Sequence, residues 1–230
     1  MLVKTQGLVL SYIRFKDTSI IVKIFTRELG LKSYIVNGVR SSTAKSKMAM
    51  YQPMTLLDLV VYFKESSAIN RINEVKLLHA YQRVPFDFKR SGIAMFMAEV
   101  LSKSIYEDYQ NESLFDFLDE SLKLLDSNQV QLQHFPIAFL LESSKYLGFA
   151  PETSEAFFEE LNLDWASIRD FQLEAAYLAN MLEQAFDFGE QVPGMARRNL
   201  LDMLLSFYTR HLEQEKEWKS IKILRQIMQE

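Results

Sequence analysis

The pattern of apolar and polar positions changes period once along this chain. Up to about residue 80 it reads as strands. Leu8, Leu10 and Tyr12 alternate with Val9 and Ser11, and a polar turn follows at Phe15-Lys16-Asp17. Ser19 to Thr26 is rich in β-branched residues, which favour strands. Leu29-Gly30 signals a turn, and Lys32 to Val36 is a third run. Val39 to Met50 is polar, basic and non-periodic, a long loop that admits a helical turn near Met48. After Pro53, Met54 to Phe63 reads as a fourth strand and Ile69 to Leu77 as a fifth. Five short strands with tight turns and one long loop fit a small closed barrel. From about Pro85 the period becomes helical. Ile93, Phe96, Met97, Val100, Leu101 and Ile105 recur at helical spacing, as do Leu114, Phe117, Leu118, Leu122 and Leu125. Further helices are expected over 133–147 (ended by Gly148), 155–161, 173–186, 196–212 and 221–228. The predicted class is α+β: an N-terminal β-barrel domain over 1–80 and an all-α helical domain over 81–230.

Charge divides at the same place. The 230 residues carry a net charge of −4. Residues 1–80 hold twelve Lys or Arg against five acids, a net of +7, which leaves −11 on the remainder. Opposite signs in two segments suggest units with different partners. The absence of Cys excludes disulfides, thiolate metal sites and a Cys nucleophile. His79, His134 and His211 lie far apart and show no ligand spacing, so neither a metal nor another cofactor is expected. A GxSxG elbow, a P-loop and a GxGxxG fingerprint are all missing, which favours a binding protein over an enzyme. The start lacks a signal-peptide h-region, and no run approaches the ~20 apolar residues of a membrane span. The expected setting is a cytoplasm, with no membrane partner.

A positive barrel with exposed aromatics suits nucleic acid. Cations attract phosphates and release counterions, and aromatic faces stack on bases of any identity. The candidate DNA-binding residues are Arg14 and Lys16 in the first turn, Lys23, Arg27 and Lys32 on neighbouring strands or turns, and Arg40, Lys45 and Lys47 in the long loop. The segment 40–47 combines three cations and four hydroxyls with no acid, a composition that holds backbones and does not read bases. Phe15 equally suits a cap on the barrel core, and some of Tyr12, Tyr34 and Tyr62 must point inward by pleating.

Four segments then carry a family resemblance. Lys4-Thr5-Gln6-Gly7-Leu8-Val9-Leu10, Phe25-Thr26-Arg27-Glu28-Leu29-Gly30, Asn37-Gly38-Val39-Arg40 and the run from Gln52-Pro53 to Tyr62 resemble, in order, segments of the bacterial recombination mediator RecO family. Leu147-Gly148-Phe149-Ala150-Pro151 and the runs 205–212 and 219–224 are looser matches. The resemblance implies an N-terminal OB-fold and a helical domain. It implies binding of single- and double-stranded DNA, annealing of complementary strands, and work with RecR to load RecA on DNA coated by single-strand-binding protein (SSB), at the bacterial nucleoid. It also implies a site for the acidic C-terminal tail of SSB. That site needs a cation beside an apolar pocket, for which Arg198, Arg210 and Phe207 are the candidates.

One departure stands out. Many members of that family carry a four-cysteine zinc site just after the Leu-Gly-x-x-Pro segment, whereas residues 152–165 here contain neither Cys nor His. Phe157, Phe158, Leu161 and Trp165 are expected to hold this segment by apolar burial instead. Two other readings of the whole chain stay open at this level: a generic OB-fold RNA-binding protein, and an adaptor whose barrel binds protein only.

Overall fold

A computed structural model describes residues 1–40, 45–162, 171–213 and 217–227, without the side chains of 45, 46 and 227. The chain folds as two compact units, Met1–Gln82 with Met97–Lys123, and Arg83–Phe96 with Leu124–Glu230. The first is built on a closed barrel of five strands in the order β1-β2-β3-β5-β4. These are β1 (Leu2–Phe15), β2 (Ser19–Thr26), β3 (Gly30–Val36), β4 (Leu56–Tyr62) and β5 (Asn70–Leu77). Fourteen residues let β1 serve two neighbours. Leu2 to Leu8 pair with β4, and Gly7 to Phe15 pair with β2 across a bulge between Val9 and Ser11. A bulge bends and twists its strand, which is what closing so small a barrel requires. The barrel shuts through a short parallel pairing, Tyr34 with Asn70 and Ile35 with Arg71.

Pleating sends Val9, Val22, Ile24, Tyr34, Leu57, Leu59 and Val61 into the barrel. Gly7 faces the same way, and a Cβ there would meet Ile24 at 2.6 Å and Leu59 at 2.8 Å. The basic connector after β3 does more than loop. Val39, Met48, Met50 and Tyr51 pack on the barrel core around the short helix α1 (Lys45–Ala49). Burial pushes the Tyr51 hydroxyl up to about 12. Leu8 and Leu10, expected to alternate with Val9, are buried along with it. The outward face of the barrel is therefore covered there too.

On that outward face, Phe25 packs against Tyr109 and Phe115 at ring separations of 6.3 and 6.1 Å. These belong to the link between α2 (Phe88–Ser104) and α3 (Glu112–Asp126), and to α3 itself. The link pairs with β3 by backbone: Leu31 N–H donates to Tyr109 O at 2.9 Å, and Asp108 N–H to Leu31 O at 2.9 Å. Gly30 permits this approach. Its φ is +69°, and a Cβ would stand 2.4 Å from Tyr109 O.

The second unit is helical: α4 (Phe135–Leu147), α5 (Ser154–Glu160), α6 (Gln172–Gln184), α7 (Gly194–His211) and α8 (Ile221–Ile227), with parts of α2 and α3. α4 is buried on most sides, as its nearly continuous apolar sequence requires. It ends where Gly148, at φ +86°, turns its N–H back to Ser144 O. α5 begins with Thr153 accepting from Ala156 N–H at 3.1 Å. Tyr208 of α7 donates to Leu140 O at 2.6 Å, which satisfies its hydroxyl inside the core. His134 is buried at the start of α4, with Nδ1 2.6 Å from the Tyr177 hydroxyl and Nε2 3.1 Å from Glu190 O. Burial holds its pKa down to about 4, so the ring is neutral. Among the described residues no helix is long and apolar enough to cross a membrane.

Candidate nucleic-acid interface

The eight cations singled out on the barrel fall into two groups. Arg14 and Lys16 flank Phe15 where β1 turns into β2, and both are exposed. Lys16 adopts φ +50°, a left-handed conformation that costs a non-glycine residue about 1 kcal/mol. Its ammonium lies 5.4 Å from the centre of the half-buried Phe15 ring. Arg40 docks onto the same turn: its N–H donates to Thr18 O at 3.0 Å and its guanidinium to Lys16 O at 3.2 Å. Nearby, Ser19 Oγ lies 2.9 Å from Asn37 Oδ1. Residues 24 apart in sequence thus form one basic rim at the barrel's end. Lys47 is exposed on α1 of the same connector, and the side chain of Lys45 lies outside the described residues. Asp17 is the one acid in the turn. Among the described residues none of Arg14, Lys16, Arg40 and Lys47 pairs with a carboxylate.

Lys23, Arg27 and Lys32 already face carboxylates. Arg27 makes a two-pronged contact with Asp116, at 2.8 and 3.0 Å, and meets Glu112 at 3.1 Å. The hydrogen bond and charge of Arg27 hold the Asp116 carboxyl below its ordinary range. Lys32 pairs with Asp108 and also lies 5.3 Å from the Phe63 ring centre. Lys23 stands 3.8 Å from Glu107. The partners lie 76 to 89 residues further along the chain, so no local signal in the sequence announces them. These three residues fasten the α2–α3 link and α3 to the barrel. Most of the positive charge open to solvent on the β1–β2 turn and the connector after β3 is therefore at Arg14, Lys16, Arg40 and Lys47.

In the helical unit, Phe207 is 1% exposed and lies in the core, so it does not present a ring to a partner. Its spacing on α7 matches that of the buried Leu200 and Leu204, and core packing accounts for it. Arg210 is exposed and its guanidinium donates to Glu160 O. Arg198 is half-buried, beside Arg197, which is buried and bonded to Gln133. A groove beside α7 is lined by Leu161, Phe171, Asn199, Asp202, Met203 and Ser206. Neither Arg198 nor Arg210 lines it, and Asp202 contributes an acid.

The segment after Pro151 is held by rings. Phe157 and Phe158 are fully buried, 5.4 Å apart, and Phe157 lies 5.1 Å from Phe207. Phe149 stacks on His211 at 4.7 Å, and His211 Nε2 is 2.5 Å from Glu160. Leu161 is half-buried, and Trp165 lies outside the described residues. Among the described residues no three His, Cys, Asp or Glu side chains come together to hold a metal.

Comparison with known proteins agrees with this architecture. Residues 1–81 match the family model for the N-terminal part of recombination protein O, and residues 85–220 match that for its C-terminal part. The chain is 36% identical over 236 residues to the DNA repair protein RecO of Flavobacterium johnsoniae, covering 99% of each chain. It is 32% identical to that of Flavobacterium psychrophilum and 30% identical to that of Phocaeicola vulgatus, again over 99% of both chains. With both parts matched in order and full-length relatives above 30% identity, the chain belongs to the recombination protein O (RecO) family.

Proposed function

We propose that this chain is a non-catalytic mediator of DNA repair. It binds single- and double-stranded DNA at the basic rim of its barrel, anneals complementary strands, and acts with RecR to help RecA onto DNA coated by SSB. The observation that carries this reading is the rim itself, where Arg14, Lys16 and Arg40 converge without carboxylate partners among the described residues. Such a rim neutralises phosphates and lowers the repulsion between two strands brought together. Its groups sit on a turn and a connector, so they hold backbones without reading sequence. The family relationship supports the repair setting, with the bacterial cytoplasm and nucleoid as its place. The contact with the SSB tail belongs to the helical unit, where Arg198 and Arg210 are its candidate cations.

The test is annealing of complementary strands pre-coated with the cognate SSB, with and without RecR. The reading expects annealing above the protein-free rate and a response to RecR. A rate equal to that of SSB-coated DNA alone, in both arms, would remove it.

A further inference from the structure

Residues 107–116, across the α2–α3 link and the start of α3, hold four acids and no Lys or Arg. All four acids meet barrel cations. Glu107 stands by Lys23, Asp108 by Lys32, and Glu112 and Asp116 by Arg27. Arg27 has Glu28 at 3.9 Å besides. These contacts are not sealed from water. The side chains of Glu112 and Asp116 stay 51% and 52% exposed, and that of Asp108 71%. Lys23, Lys32, Glu107 and Asp108 line one cleft of about 540 Å³ with Ser33 and the β4–β5 loop. Nor do the ion pairs alone hold the link. Its backbone pairs with Leu31, Phe25 packs on Tyr109 and Phe115, and Gln110 donates to Glu28 O at 2.8 Å.

Exposed ion pairs contribute modestly to stability, so four acids set against three cations exceed what docking needs. Their other effect is on what those cations can hold. A carboxylate at a cation takes the place of a phosphate oxygen and removes the counterion release that drives phosphate binding. Lys23 lies on β2, which begins at the rim with Ser19, and Arg27 follows its far end. We infer that the acidic segment 107–116 is an autoinhibitory contact. It withholds Lys23, Arg27 and Lys32 from phosphates and confines DNA on the barrel to the rim. The mask is electrostatic: neutralising its acids frees the cations while the backbone pairing and the rings keep the link docked. The inference rests on the proposed DNA-binding function and deepens it. A mediator must release the strand it delivers, and a capped affinity serves that release.

The test measures labelled oligo-dT binding to the full chain by anisotropy across a salt series. The variant combines Glu107→Gln, Asp108→Asn, Glu112→Gln and Asp116→Asn, which keep shape and remove charge. With three cations freed, its slope of log K against log salt steepens by about 2, and it binds more tightly at low salt. Adding Lys23→Ala, Arg27→Ala and Lys32→Ala to that variant returns the slope to the wild-type value. Glu107→Gln alone, which disturbs the fold least, steepens it by about 0.7. The control neutralises four exposed acids of the helical unit, Glu152, Glu155, Glu159 and Glu183, to Gln and keeps the wild-type slope. A fourfold link variant no steeper than this control would overturn the mask and leave the proposed function intact. A steeper slope that survives loss of the three cations would also overturn it, by placing the gain elsewhere. Failure of wild type and the link variant alike to bind at low salt would bring down the proposed function and this inference with it.

Discussion

Replacing Arg14, Lys16, Arg40 and Lys47 together by Ala separates the open cations from the fastened ones. Each of the four is free of carboxylate partners among the described residues. Each neutralised phosphate on a single strand contributes about 0.7 to the slope of log K against log salt, so losing four lowers the slope by about 2.8. Between 50 and 200 mM salt, that difference amounts to about 50-fold in affinity. The assay is fluorescence anisotropy of a labelled oligo-dT over that range. The control replaces Lys23, Arg27 and Lys32, whose charges are committed to Glu107, Glu112, Asp116 and Asp108. In the control the slope stays within about 0.7 of wild type, while thermal stability falls because the α2–α3 link and α3 lose their ion pairs. The reasoning fails if the fourfold variant keeps the wild-type slope, or if the control loses more of it than the fourfold variant.

Three further outcomes concern the scaffold. Phe157→Ala removes a fully buried ring and should cost about 3–5 kcal/mol, roughly 10 °C in Tm. A chelator should leave the melting curve unchanged, and stoichiometric zinc found by metal analysis would contradict the apolar account of this segment. Gly30→Ala forces a Cβ to 2.4 Å from Tyr109 O at a φ of +69°. It should destabilise the barrel unit by about 2–4 kcal/mol in urea denaturation, and a change under 1 kcal/mol would show that the link yields easily. For His134 the folded pKa, about 4, lies below its ordinary value of 6.5. Between those values the unfolded chain binds more protons, so this contribution is complete above pH 6.5 and is lost as pH falls towards 4. Its size is on the order of 3 kcal/mol. His134→Gln should flatten the stability curve over that window relative to wild type, and parallel curves would exclude the assignment.

Strand periodicity located all five strands because the barrel interior enforces it: Val22 and Ile24 point in, while Ile21 and Lys23 between them point out. It misread Leu8-Val9-Leu10, where packing on the outward face buries residues of both phases. In the basic connector the helical turn near Met48 is present as α1 (Lys45–Ala49), but the packing of this segment on the barrel core carries no sequence pattern. The four apolar residues that plug the barrel, Val39, Met48, Met50 and Tyr51, are too sparse among polar ones to show a period. Barrel closure rests on two residue pairs between β3 and β5, which carry no local pattern. Within the site, charge composition identified the barrel as basic but could not sort its cations. The acids that engage Arg27 and Lys32 come from the α2–α3 link and α3, on chain that reads simply as helical and acidic. Phe207 illustrates the same limit on a helix, since core and surface phenylalanines share one spacing and only packing separates them.

The proposed location of DNA on the barrel is tested most directly by crosslinking a photoactivatable single strand to the full chain and mapping the adducts by mass spectrometry. The account predicts adducts in peptides covering residues 13–19 and 37–49, competed by unlabelled strand and reduced by salt. Adducts confined to residues 124–227, with the barrel peptides unmodified, would contradict it.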